Sequence, residues 1–273
     1  MKRSAKRGII IFIYLIIFSL IGFFVYYIIT PQSNCFDGKK NQGEKGVDCG
    51  GPCTVACEEE LIVEEIEVLE KYFVHGRGDN YDLMAKIDNP NNRYGAAKFS
   101  YRFDLVDKLG NSLGKREGIS FILPGESKYV MELNLNSVES PYSASFEILN
   151  IEWEEFIGYE EPKLGIYNKN YHEESGKSEV FGLLKNESYF DFNAIEIYII
   201  LRDENGDPVA IGTNEMNTVY SQQERDFRVF WPYNFNSEVK DVEIRAEADV
   251  FDPNNSYVKG YRTGNEVRSY GDE

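Results

Sequence analysis

Two stretches of this chain about a hundred residues apart carry the same pattern. Phe99-Ser-Tyr-Arg-Phe-Asp-Leu-Val-Asp107-Lys-Leu-Gly110-Asn111 lines up with Ile195-Glu-Ile-Tyr-Ile-Ile-Leu-Arg-Asp203-Glu-Asn-Gly206-Asp207 at a constant offset of 96. In each, apolar side chains recur at every second position (Phe99, Tyr101, Phe103, Leu105; Ile195, Ile197, Ile199, Leu201) and an Asp-x-x-Gly turn follows. Period two marks a strand with one buried face. Upstream, Leu83 to Asn89 corresponds to Val180 to Asn186 at an offset of 97. Downstream, the turn Leu123-Pro-Gly-Glu126 meets Tyr220-Ser-Gln-Gln-Glu224, and the strands 128–135 and 226–233 correspond, with Trp231 aligned on Leu133 as a core residue. Each unit closes on a further strand. Val242, Ile244, Ala246, Ala248 and Val250 alternate with charged residues, while in the first unit the alternation changes parity between Ile148 and Leu149, which predicts a bulge before Ile151 and Trp153.

Several short strands per hundred residues, separated by Gly, Pro, Asn and Asp turns and without an amphipathic helix, predict sandwiches of antiparallel sheets. The stretches between strands are too short or too polar for the crossover helices of a parallel sheet. The first domain is expected over 58–158 and the second over 159–262, with relative motion about 157–163 and a polar tail over 263–273. The outer strand faces carry enough charge to meet water, so each unit is expected to bury its own core. The string Asn89…Phe103-x-Leu-Val-Asp107-x-x-Gly110…Leu-Pro-Gly-Glu126 resembles the FxLYD-type immunoglobulin-like modules of prokaryotic exported proteins; the second copy keeps Asn186, Asp203 and Gly206. The resemblance implies an all-β fold of two tandem immunoglobulin-like β-sandwiches and no chemistry that transfers to residues here.

The first thirty residues are different material. Lys2, Arg3, Lys6 and Arg7 precede an uncharged run of 21 residues from Ile9 to Ile29. As a helix it reaches roughly 31 Å, the thickness of a bilayer's hydrocarbon. The four cations predict a cytoplasmic N-terminus, so that residues 1–30 form the basic flank and single-pass anchor and the rest is exported. Against the competing reading, a cleaved signal peptide, stand the length of the run and the exit Tyr27-Ile28-Ile29-Thr30-Pro31, which lacks small residues spaced for a peptidase. With the four cations of residues 1–30 taken from the net −17, the remainder carries −21. Nucleic acid is not an expected partner, since phosphate binding needs clustered Lys and Arg.

All four cysteines, Cys35, Cys49, Cys53 and Cys57, fall in the segment 31–57 among five glycines. An exported segment too short for a core predicts two disulfides and a small stalk, with the pairing open among three possibilities. A zinc site of four thiolates is the alternative. The string Cys35-Phe-Asp-Gly to Asp48-Cys-Gly-Gly resembles a short cysteine motif that recurs in exported modular proteins of prokaryotes, and implies a surface setting. It gathers Asp37, Asn41, Glu44 and Asp48, hard oxygen donors that make calcium the candidate ion and, apart from it, leave no cofactor expected. The competing reading is turn chemistry, in which these side chains bond their own backbone.

Candidate catalysis is thin. His75 and His172 sit in polar, turn-like sequence with no nucleophile or ligand spacing beside them. Glu58-Glu59-Glu60, Glu64-Glu65 and Glu160-Glu161 read as solvated charge, because a glycosidase pair needs one carboxyl in an apolar pocket. The expectation is a non-enzymatic, membrane-anchored extracytoplasmic scaffold or protein-binding module, held through residues 9–29 and partnered by an envelope protein. The alternative is an adhesin or carbohydrate-binding surface protein, with Tyr94, Tyr142, Tyr189 and Tyr220 as contacts for a surface glycan.

Overall fold

The computed structural model describes residues 3–29, 34–41, 43–57, 62–174 and 176–257. The expectations for residues 30–33, for Glu58-Glu59-Glu60 and for the tail 263–273 fall outside these. The described residues up to Ile62 make one unit and those from Val63 onward another.

In the first unit, α1 (Arg3–Ile29) is apolar on every face beyond Arg7, with a mean hydropathy of 2.9 over Arg7–Tyr27. It is long and apolar enough to cross a membrane, a property that a signal sequence near an N-terminus shares. The cysteine segment holds two interleaved disulfides, Cys35–Cys53 and Cys49–Cys57. This settles the pairing, and the glycines are part of the reason it fits: a Cβ on Gly46 would stand 2.6 Å from Cys49 Sγ.

The second unit is built from antiparallel strands, as the alternation predicts. In the first half, β1 (Glu67–His75), β2 (Asn80–Asp88), β3 (Tyr94–Val106), β4 (Ser112–Ile122), β5 (Ser127–Asn136) and β6 (Ser143–Glu155) form the sheets β1-β2-β5 and β4-β3-β6. In the second, β7 (Leu164–Glu174), β8 (Lys177–Asn186), β9 (Asp191–Arg202), β10 (Pro208–Val219), β11 (Glu224–Trp231) and β12 (Asp241–Glu247) form β11-β8-β7 and β10-β9-β12, with the short β13 (Ser256–Tyr257) also on β9. The strand order of the second half is that of the first with every number raised by six. Each pair of sheets encloses a core: Leu83, Phe99, Phe103, Leu105, Ile122 and Phe146 in one, Val180, Ile195, Ile197, Ile199, Leu201 and Trp231 in the other.

The repeated residues have identical structural duties. Asn89 and Asn186 are fully buried. The Asn89 amide donates to the carbonyls of Tyr94 and Leu123, and that of Asn186 to those of Phe190 and Val219. Asp107 Oδ1 accepts from the N–H groups of Leu109 and Asn111, and Asp203 Oδ1 from those of Asn205 and Asp207. Gly110 and Gly206 complete these turns at φ of 83° and 85°, where a side chain would be strained. The expected bulge is present: Ser100 pairs with Asn150 and Tyr101 with Ile148, which leaves Leu149 as the extra residue.

Four expectations need correction. Gln223, not Glu224, takes the place of Glu126: their side chains accept from the N–H groups of Tyr220 and Leu123 respectively. Trp231 takes the place of Leu135, not Leu133, because β5 is irregular near Asn134 (φ 59°); Tyr81 pairs with Leu135 as Ser178 pairs with Trp231. His172 lies within β7, not in a loop. The outer faces do not both meet water. Val74, Met84 and Tyr129 of the sheet β1-β2-β5 pack against Tyr198, Ile200 and Ile211 of β10-β9-β12 in a third buried cluster, so the sandwiches stack. Near the junction of the two sandwiches, Tyr159 and Phe156 pack on Phe251 with ring centroids 5.1 and 5.9 Å away. Gly95 of β3 admits that ring: a Cβ there would stand 2.4 Å from Phe251.

Candidate functional site

The residues singled out in the cysteine segment serve its own backbone. Asp48 accepts from the N–H groups of Asp37 and Gly38, and Glu44 Oε2 from those of Asn41 and Asp48. Asp37 accepts from the Lys39 N–H and, at 2.9 Å, from the Asn41 amide, which holds its carboxyl below the usual range. Asp37 and Asn41 therefore meet directly, while Glu44 and Asp48 join them through main-chain groups. Among the described residues, a group with potential metal-ligand spacing is Cys35, Glu44 and Cys53, but its two sulfurs are bonded to each other and offer no thiolate.

The aromatic contacts proposed for a glycan are not gathered. Tyr189 and Tyr220 sit on neighbouring turns of the second sandwich and Tyr94 on the equivalent end of the first. Tyr142 lies beside Val106, at the opposite end of β3 from Tyr94. His75 packs edge-on to Tyr81, and His172 lies 3.5 Å from Glu174 in an exposed pair.

The stacking of the sandwiches creates what period-two reading does not reveal, a cleft of about 950 Å³ between them. One wall comes from β3, β4, β5 and β6, the other from β9, β10 and the chain around and after β12. Apolar atoms of Ala97, Phe121, Val130, Met131 and Phe251 line it, together with Glu152, Glu154, Glu196, Glu215, Glu247, Asp249 and Asp252. Lys98 is the basic residue of the lining.

Beside the cleft lies a buried ion pair that joins the two halves. Lys128 of β5, with its side chain fully buried, places Nζ 2.7 Å from Glu247 Oε2 of β12 and 3.8 Å from the centre of the Phe121 ring. Burial pulls the ammonium's pKa down, but Glu247, Glu126 and Glu196 more than reverse this and raise it. Burial also pushes the Glu247 carboxyl up to about 7, with Lys128 opposing and Glu126 and Glu196 adding to the rise. Both partners hold their protons more firmly, Glu247 chiefly because it is buried and Lys128 because several carboxylates surround it. A second polar tie sits farther along the seam. Arg202 of β9 donates to Tyr129 Oη at 3.1 Å and stands 3.4 and 3.6 Å from Glu243 and Glu70, so that β1, β5, β9 and β12 meet at one guanidinium. Sequence reasoning missed both ties. The available signal was the unbroken apolar run Ile197-Tyr-Ile-Ile-Leu201 of β9, which marks a strand buried on both faces.

No family model matches the sequence, and no curated protein does. Among solved structures, the chain is similar to red sea bream transglutaminase (9% identity, TM-score 0.24), covering 68% of this chain and 31% of that one. It is also similar to the calcium binding domain CBD12 of CALX1.1 (7% identity, TM-score 0.19), covering 71% of this chain and 83% of that one. This chain thus spans about a third of the transglutaminase's length, and at these scores neither likeness carries an argument about function.

Proposed function

We propose that this chain is a membrane-anchored, extracytoplasmic binding protein without turnover, in which the sandwiches were duplicated from one module and the cleft between them receives a positively charged segment of an envelope protein. The cleft is the observation that carries this reading. Of its seven lining carboxylates Glu247 is paired with the buried Lys128, and the other six face one lysine, Lys98; clefts with one sign of charge and low-dielectric walls concentrate ligands of the other sign. The apolar atoms beside them suit the stems of Lys and Arg, which bury their methylenes while the charged heads reach carboxylates. The four cations before α1 support an N-terminus on the cytoplasmic side, with the disulfide-bonded segment and the sandwiches outside, where disulfides persist. The repeated Asn, Asp and turn residues all have structural roles, which supports reading the shared motif as scaffold.

The test is photocrosslinking in native membranes from a probe replacing Asn214 at the cleft, compared with a probe at Asn205 in the turn between β9 and β10. Crosslinking from Asn214 alone to one protein, lost when Glu152 and Glu215 are both changed to Lys, is the expected result. Equal crosslinking from both positions, or a product indifferent to the charge reversal, overturns the assignment. Protease added to spheroplasts should remove the sandwiches; if it cuts the N-terminus and spares them, the orientation is reversed.

A further inference from the structure

The seam between the sandwiches contains an ion pair that the binding reading does not use. Lys128 and Glu247 belong to different sandwiches, and their side chains are 0% and 6% exposed. At the same register position of the second sandwich stands Arg225, opposite Leu184 as Lys128 is opposite Ile87, yet Arg225 stays near water and donates to the Asn217 carbonyl. The burial of Lys128 is therefore a product of stacking, not of the repeated strand pattern. Around this one cation the seam collects carboxylates from several elements: Glu126 from the turn before β5, Glu196 from β9, and Glu247 and Asp249 from β12 and the chain after it. Tyr198 of β9 hydrogen-bonds Glu196 and feels the charge of Glu247. From the other walls of the cleft, β3 adds Lys98, β6 adds Glu152 and Glu154, and β10 adds Glu215.

We propose that the Lys128–Glu247 contact is a proton-operated seam, which holds the two sandwiches together more tightly at mildly acidic than at mildly alkaline pH because Glu247 is buried between them beside more carboxylates than its one buried cation neutralises. The sign follows from linkage. Glu247 binds its proton up to about pH 7 in the stacked state, whereas an unfolded or separated glutamate releases it near its ordinary value. The stacked state therefore gains on acidification, and this stabilisation is lost as the pH rises through about 7. Asp249, raised by burial, pulls in the same direction. Lys128 stays charged throughout the window, since its own shift is upward. When Glu247 takes up its proton, the remaining carboxylates still face the ammonium and one buried negative charge is removed. The proposal concerns the joint and does not depend on what the cleft binds.

The test is amide hydrogen exchange on the full chain in detergent micelles at about pH 5.5 and about pH 8, corrected for intrinsic exchange. Protection in β5 and β12 should fall on the order of tenfold at the higher pH, while β8, remote from the seam, changes less. The Glu247→Gln variant, which keeps the shape of the protonated carboxyl, should show the high protection at both pH values. Lys128→Met should move the loss of protection to higher pH, because the group opposing the rise at Glu247 is gone. Equal protection of β5 and β12 at the two pH values in the unaltered chain, a uniform change across both sandwiches, or a Glu247→Gln variant that keeps the original pH response each overturns the proposal. The measurement on the unaltered chain decides the matter even where a variant does not fold.

Discussion

Asn89 and Asn186 show what a single polar side chain does inside an apolar sandwich. Each is fully buried, and each amide nitrogen bridges two backbone carbonyls at the end of a sandwich. Replacing Asn89 with Ala leaves the carbonyls of Tyr94 and Leu123 without this donor, and we expect a loss of about 2–3 kcal/mol by chemical denaturation. A change within about 0.5 kcal/mol would mean that the turn re-forms around water. Asn89 and Asn186 were legible as matched positions in the repeat, but their duty was not, because a buried asparagine clamp and an exposed turn asparagine look alike in one sequence. Lys128 was less legible still: it reads as a solvated strand residue, and only the opposing sheet removes it from water.

The strands and the disulfide-bonded segment follow local rules closely. The bulge at Leu149 was visible as a change of parity, and the Asp-x-x-Gly turns as repeated letters. The disulfide pairing was not visible, since spacing alone leaves three choices. Partial reduction with stepwise alkylation by two different reagents should label Cys35 together with Cys53 and Cys49 together with Cys57; Cys35 labelled together with Cys49 would contradict the fold of this segment. The same segment offers a decision on calcium. Asp37, Glu44 and Asp48 already accept backbone N–H groups, and an ion would have to displace or share those acceptors. We therefore expect calorimetric titration of the full chain with millimolar calcium to give no heat assignable to this segment. Heat that disappears in a chain carrying Asp37→Asn and Asp48→Asn would instead establish the ion.

Across the molecule, the stacking of the sandwiches governs both stability and the cleft. Ile200 is fully buried between the sheets β1-β2-β5 and β10-β9-β12, where Val74, Met84 and Tyr129 cover it. Ile200→Ala should cost about 2–4 kcal/mol and should lower the unfolding of both sandwiches together, as seen by calorimetry of the full chain in detergent. Two separate transitions in the unaltered chain, with only the second affected, would show that the halves fold independently. Period-two alternation and turn residues were enough to establish strands, an all-β class and the inner cores, because those depend on which side chains of one strand share a face. The stacking was decided elsewhere. A strand's outer face looks the same in sequence whether water or a second sheet covers it, and the difference lies in shape and charge brought together from residues more than a hundred positions apart, such as Lys128 and Glu247. Local patterning therefore specified each sandwich, whereas the cleft, the buried ion pair and the pH response exist only once the two surfaces meet and exclude solvent.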